Sequence, residues 1–440
     1  MTTRRTFIRQ ASAAGFAAAT FATIAQAAEN RSTSLLSKTR GRGPRVKSAV
    51  RRDETIVRSG GYGWVSGMTW TADDRFLVGI GEGAEWPGLP NDLQFESGLI
   101  DVAGDPQDAT FQVVAGYPVL SIYNWFRPGG DPAYYAFGTL AVDNYVYQYL
   151  STFHGSAYFR AGKEVHEHFV FPDLKCTKLI YSTDHGRTWS NQDGTQPVYF
   201  EQSKDQSRKS MIFWDEPNSL FSAVILLQMG KGYSGNRDGY VYGYSMANGG
   251  SAAELAMFRV PRAQVLAKEH YEYFVARQAD GGARWTRDIN ACAAVHRLPS
   301  NWACWSIVHN APLELYMMTA YYSKGIDDLT DTVEPARLGF WVAPQPWGPW
   351  EQIYEESPWR PGGNGTYIAG PHISPKWISN DGKSFWMTWT DWSKTSEISP
   401  EYLIELWYAS SDKESRVKDH ESFLTHANFR FNRQRVDLVI

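Results

Sequence analysis

Residues 182–189 read Ser-Thr-Asp-His-Gly-Arg-Thr-Trp, and no other stretch of the chain restricts its fold as tightly. A short acid, a glycine and an indole at these spacings make a turn that supports itself. Asp184 can accept hydrogen bonds from the turn's own backbone, Gly186 can take a positive φ without steric cost, and Trp189 can fold beneath the loop. Such a turn needs a strand on either side, so the octet asks for a β-hairpin. It is a brace and carries no catalysis of its own.

The rest of the sequence agrees. Alternating or continuous β-rich runs occupy 67–80, 135–150, 223–229, 240–245, 255–260, 305–309, 316–321, 338–342, 384–390 and 403–409. Only 262–274 reads as helical, opening after Pro261 and carrying Val265, Leu266 and Tyr273. The expected class is all-β with one short helical insertion. Residues 70–76, 140–146 and 378–385 share a pattern of apolar strand, Asp- or Asn-containing turn and aromatic strand. Weaker copies lie near 222–245 and 313–321, for a repeat of about 70 residues. The octet itself matches the Asp-box, Ser/Thr-x-Asp-x-Gly-x-x-Trp, a turn found at the rim of β-propeller blades. Period and turn together predict a five-bladed β-propeller with about four strands per blade, six blades being the alternative.

The N-terminus reads Thr3-Arg4-Arg5-Thr6-Phe7-Ile8, then an apolar run to Ile24 and a small-x-small site at Ala25-Gln26-Ala27. This is the order of a twin-arginine export signal, too short and Ala-rich for a stable membrane span. Expected boundaries are a signal peptide at 1–27, a polar, basic and disordered leader at 28–55, and a single propeller domain at 56–440. The product is expected in the periplasm or outside the cell, free of the membrane after cleavage, and monomeric. Loss of Arg4, Arg5 and Arg9 moves the formal charge from −4 to −7, which disfavours nucleic acid and anionic membranes as partners. Three cysteines are no disulfide framework; Cys292 and Cys304 are near enough to bridge adjacent strands, which leaves Cys176 over.

Further stretches follow in order along 60–440: Thr69 to Asp74, Gly138 to Asp143 with Tyr147, 178–189, 230–242, Arg259-Val-Pro-Arg262, Ala343 to Trp350, Pro375 to Gly382 and Gln434-Arg435-Val436. Together they resemble a bacterial secreted family described as a domain of unknown function, some of whose members are endo-D-arabinanases on a five-bladed propeller. The resemblance implies that fold and glycosidic hydrolysis. In that family the first blade carries Gly-Asp-x-Trp and a terminal Gly-Asp-Gly. Alignment on Trp70 puts Trp64 where the first Asp falls and Glu82, in Gly81-Glu82-Gly83, at the second.

Two carboxylates facing one glycosidic bond suffice for acid/base hydrolysis. Glu82, at a strand end between glycines, and Asp238, beside Arg237 in a Gly- and Tyr-rich loop, are the expected pair. His372, in a proline-stiffened loop, is the third catalytic candidate. Arg237 and Lys376 would orient or neutralise substrate, with Tyr233, His154 and Asp391 as further contacts. Trp64, Trp86 and Trp392 offer indole faces for sugar C–H surfaces. Asp73 and Asp74 read as turn residues. His154, Glu164, His166 and His168 match no zinc spacing, so no metal or cofactor is required, although a bound structural cation is compatible. No phosphate loop or nucleophile elbow is present in the sequence. The expected substrate is a polysaccharide or oligosaccharide. Two alternatives remain: a lyase using Arg237, His154, His372, Tyr233 and Tyr240 on a uronic acid, and a sugar-binding propeller without catalysis, which Trp64 in place of an acid favours.

Overall fold

The computed structural model describes residues 45–88, 94–118, 120, 134–152, 176–198, 212–214, 220–246, 253–299, 302–324, 334–363, 365–393 and 430–440. These residues are all-β; their only helices are single 3-10 turns. None is long and apolar enough to cross a membrane. The chain runs as successive antiparallel meanders. The first holds β1 (Ser48–Arg51), β2 (Val57–Trp70), β3 (Phe76–Ala84), β4 (Gln94–Ala103) and β5 (Thr110–Val113). The second holds β6 (Tyr134–Val142), β7 (Tyr145–Thr152), β8 (Cys176–Ser182) and β9 (Ser190–Asn191). The third holds β10 (Val224–Leu226), β11 (Tyr240–Met246), β12 (Glu254–Pro261), β13 (Glu272–Arg277), β14 (Ala283–Thr286) and β15 (His296–Arg297). The fourth is β16 (Trp302–Asn310), β17 (Leu315–Lys324), β18 (Glu334–Ala343) and β19 (Glu351–Glu356), and the last is β20 (Gly365–Ile378), β21 (Ser384–Ser393) and β22 (Arg430–Val439).

Four hydrogen-bonded sheets result, because the first and last meanders join in the order β20-β21-β22-β2-β3-β4-β5. The join lies inside β2. Val57, Arg58 and Tyr62 pair with Arg433, Asn432 and Arg430 of β22, whereas Trp64 to Trp70 pair with β3. β1 pairs with the remainder of β22, from Ser48 opposite Val439 to Arg51 opposite Val436. The N-terminal segment therefore completes the last meander, which corrects the expected leader: residues 48–55 belong to the fold. The basic charge that reads as a leader is paired across strands. Arg51 donates to both oxygens of Glu356 at 2.6 Å, Arg52 donates to Asp437 at 2.7 Å, and Val46 and Ala49 are buried.

First strands of the meanders touch in succession: β2 against β6, β6 against β10, β10 against β16, β16 against β20, and β20 against β2. They lie close. A Cβ at Gly67 would stand 2.6 Å from the carbonyl oxygen of Phe137, so β2 and β6 could not approach this way with any other residue there. Polar bridges tie these strands and the segments flanking them together. The Ala141 N–H donates to Thr69 Oγ1 (2.7 Å), Gln228 Nε2 to the Thr139 carbonyl (2.8 Å), His309 N–H to the Gln228 carbonyl (2.8 Å) and Thr390 Oγ1 to the Gly63 carbonyl (3.2 Å).

The expected helix at 262–274 is absent. Two 3-10 turns, Arg262–Gln264 and Lys268–His270, lead directly into β13. Tyr271, Tyr273 and Phe274 are all buried, Tyr273 opposite Phe258, and the Tyr271 hydroxyl donates to the Val265 carbonyl at 2.6 Å. Burying three successive aromatic positions suits a strand between two packed layers better than a helix with one apolar stripe. Cys292 and Cys304 are free thiols, so they form no bridge; burial pushes the Cys292 thiol up to about 11. The expected strand at 403–409 lies outside the described residues. Pro44–Ala276 with Ala283–Ile440 forms one compact unit, and residues 277–282 belong to a second, where Gln278 and Gly282 close a tight turn.

Candidate functional site

Strand direction gives the molecule two chemically different ends. β2, β6, β16 and β20 run toward short turns at 71–75, 143–144, 311–314 and 379–383, and β10 runs toward the loop 227–239. These connections gather at one end. The Asp143 N–H donates to the Gly232 carbonyl (3.1 Å), and Asn310 Nδ2 donates to the Gly382 carbonyl (2.8 Å). Lys231 and Lys376 reach the Asp74 carboxylate at 3.3 and 3.7 Å, both within about 6 Å of the Trp70 ring centre.

The turn at 182–189 stands at this end too. The Asp184 carboxylate accepts from the N–H groups of Arg187 (3.0 Å) and Thr188 (2.8 Å) and from the hydroxyls of Ser182 and Thr188, both at 2.7 Å. Burial alone would raise its pKa, but these bonds prevail and bring it to about 2. Gly186 has φ +86° and its carbonyl accepts from Trp189 Nε1 at 3.1 Å. Arg187 carries the turn across to Asp73 at 2.7 Å.

Four of the expected site residues lie at this turn end. Asp238 is part-buried and fully engaged, accepting from Asn236 Nδ2 (2.8 Å), the Tyr240 N–H (3.1 Å) and the Tyr242 hydroxyl (2.5 Å). Tyr233 is buried, with its hydroxyl on the Tyr240 carbonyl at 3.2 Å. Arg237 is exposed. Lys376 donates to the Asp74 carbonyl at 2.7 Å.

Away from the turn end lies a buried aromatic cluster. Trp64 packs its indole over Gly81, where a Cβ would lie 2.5 Å from the ring. Its ring centre is 5.5 Å from Tyr135, 5.3 Å from Phe137 and 5.9 Å from Trp305. Trp305 in turn stacks on Tyr321 at 5.8 Å and faces His372 at 5.9 Å. β2, β6, β16, β17 and β20 thus pool their aromatic side chains in one cluster. His372 is buried with Nδ1 2.8 Å from the Gly370 carbonyl, and burial pushes its pKa down to about 4, so the imidazole is neutral near pH 7.

Gly63 sits beside this cluster with φ +119°. A Cβ there would lie 2.7 Å from the Gly81 carbonyl oxygen and 2.9 Å from the Gly83 Cα, so the backbone of Glu82 passes directly alongside. On its other flank Gly63 accepts the Thr390 hydroxyl, the neighbour of Asp391. Asp391 and Trp392 end β21, opposite Ile368 and Tyr367. Glu82 and Asp391 are therefore each one residue along the chain from a direct contact of Gly63.

Glu82 and Asp238 do not form a pair. β3 carries Glu82 away from the 71–75 turn by about 20 Å of extended chain, whereas Asp238 remains at the turn end. Trp86 is also corrected. It is 2% exposed, its Nε1 donates to the Tyr62 carbonyl at 2.6 Å, and Phe111 and Phe431 meet it edge-on, so it is a core residue with no face for a sugar. His154 lies outside the described residues. Tyr135, Phe137, Trp305 and Tyr321 were not singled out from the sequence. Their signal is positional, an aromatic at a similar height on the neighbouring strands β6, β16 and β17, and it becomes visible only once the strands are aligned. Among the described residues no group of three or more His, Cys, Asp or Glu side chains could hold a metal ion.

A family described as a domain of unknown function, DUF4185, matches residues 140–408. The chain belongs to the DUF4185 family. No curated protein matches it. Solved structures similar to this DUF4185 chain include a putative hydrolase from Bacteroides ovatus (12% identity, 89% of this chain and 87% of the other, TM-score 0.46). Others are an alpha-L-arabinofuranosidase from Podospora anserina in complex with cellotriose (9%, 90% and 96%, TM-score 0.40) and a GH43_1 enzyme from Xanthomonas citri complexed with xylotriose (11%, 88% and 91%, TM-score 0.39). Likeness at this level assigns neither substrate nor residue roles to the DUF4185 chain.

Proposed function

We propose that this DUF4185 chain is an exported five-bladed β-propeller that hydrolyses glycosidic bonds in an extracellular polysaccharide. The blade reading is supported by the five successive meanders, by first strands that touch in cyclic order, and by the N-terminal strands that complete the last meander. The observation that carries the functional reading is the end built around Gly63. Two carboxylate residues, Glu82 and Asp391, are each one residue from a direct contact of this glycine, beside a cluster of Trp64, Tyr135, Trp305, Tyr321 and His372. Glycine lets backbone and ligand approach closely, and a carboxylate pair supplies general acid and base through an oxocarbenium-like transition state, while the buried rings fix the strands that carry it. Asp391 thus replaces Asp238 as the partner of Glu82. Neutral His372 positions the cluster through its bond to Gly370. Tyr233 and Lys376 stand at the turn end, where their hydrogen bonds hold loops together, and Arg237 is exposed there.

The test is product release from neutral and uronic-acid polysaccharides, read by reducing ends and by ultraviolet absorbance. Reducing ends without absorbance are expected. Absorbance rising with the ends would mean β-elimination and would overturn the hydrolytic reading. A second reading, sugar binding without cleavage, draws on Trp64 standing where the resembling family has an acid. It predicts silence in both assays together with retention on polysaccharide.

A further inference from the structure

Tyr145 is one of three large hydrophobic residues exposed among the described ones, at 40%, and it opens β7 at the turn end. It does not stand alone. Its ring is nearly parallel to that of Tyr147 (8°, centres 5.6 Å apart) and to that of Tyr181 (24°, 6.5 Å). Tyr147 and Tyr181 face each other across the β7–β8 ladder. Tyr147 is 5% exposed and packs into the core with Leu140, Leu179 and Val241. The stack therefore grows out of the core and ends on an open ring whose rotamer is already fixed by its neighbours. Two residues away, Arg262 grips both oxygens of Asp143 at 2.8 Å, giving the exposed ring a charged, hydrogen-bonding rim.

We infer that Tyr145 is a second carbohydrate contact, at the end of the molecule opposite Glu82 and Asp391, which holds a polysaccharide chain outside the cleavage site. This rests on the carbohydrate reading above. A glycan fits what is present: its C–H face would continue the stack of rings, and its hydroxyls would meet the phenol oxygens and the Asp143–Arg262 rim. A protein partner fits poorly. Stable interfaces bury about 800 Å² on each side around an apolar centre, whereas here one ring is open and the adjoining turn residues Asp143 and Asn144 are polar and exposed.

The experiment is affinity electrophoresis of the mature protein through gels containing soluble arabinan, arabinoxylan, galactan or alginate. It is paired with cleavage of short oligosaccharides and a melting curve for each variant. At least one polysaccharide should retard the parent. Tyr145→Ala should weaken that retardation about tenfold, the loss of one stacked ring, with melting and oligosaccharide cleavage unchanged. Tyr145→Trp should retain it. Retardation of Tyr145→Ala equal to the parent's, or a parent that no polysaccharide retards, would overturn the inference. Cleavage without Tyr145-dependent retardation would remove this contact and leave the hydrolase standing. Tyr145-dependent retardation without cleavage of any substrate would do the reverse.

Discussion

Single residues show most clearly what spacing can and cannot reveal. The 182–189 turn is legible because the bonds that close it, those to Asp184 and from Trp189 to Gly186, all lie within four positions. Its pH consequence is specific. The folded carboxyl titrates near 2, below the unfolded value of about 3.9, so its contribution is present above that unfolded value and is lost as pH falls toward 2. Melting temperature measured from pH 5 to 2 should fall less steeply in Asp184→Asn than in the parent, from a lower starting point. His372 and His309 work over a higher window. Burial depresses both to about 4, with Arg237 adding to the effect on His309, so the unfolded chain binds more protons below its own value of about 6.5. Stability should decline between about pH 6.5 and 4, and His372→Gln should flatten that slope. The pairing of Glu82 with Asp238 failed for a reason no local pattern reveals: both are acids near glycines, but they stand at opposite ends of their strands.

Elements were readable where pattern and burial agree. β6 is buried along its whole length and its sequence is apolar or aromatic at every position but Gly138 and Thr139. Reading failed where composition misled. Residues 48–55 look like a solvated basic leader because their partners, Glu356, Gln434 and Asp437, lie more than 300 positions away. Arg51 is almost fully covered, so Arg51→Ala removes both its bonds to Glu356 and should cost about 2 kcal/mol, read by denaturant unfolding. A disordered leader would predict no change. The helix expected at 262–274 failed because three aromatic residues there go into the core, where packing overrides a helix start signal at Pro261. Gly67→Ala tests the approach of β2 to β6. With the new Cβ 2.6 Å from a backbone oxygen, it should lower stability by about 1–3 kcal/mol.

At the scale of the whole molecule, the proposed ring is what turns separated sequence segments into one site. Trp64, Tyr135, Trp305 and His372 span more than 300 residues of sequence yet meet in one cluster, because each sits at a similar height on a first strand. The β class was therefore accessible from sequence, while the membership of the site required knowing which way each strand runs. The same geometry sets the proposed cleaving end apart from the turn end, and that separation is the central claim. It is tested most directly by measuring reducing-end release for Glu82→Gln, Asp391→Asn and Asp238→Asn on a polysaccharide that the parent cleaves. Glu82→Gln and Asp391→Asn should each lower kcat by about a thousandfold with melting unchanged, the loss expected when a general acid or base is removed. Asp238→Asn should keep kcat within about threefold, since its carboxylate serves only its own loop. Loss of activity in a folded Asp238→Asn, with Asp391→Asn left active, would contradict the account and return catalysis to the turn end.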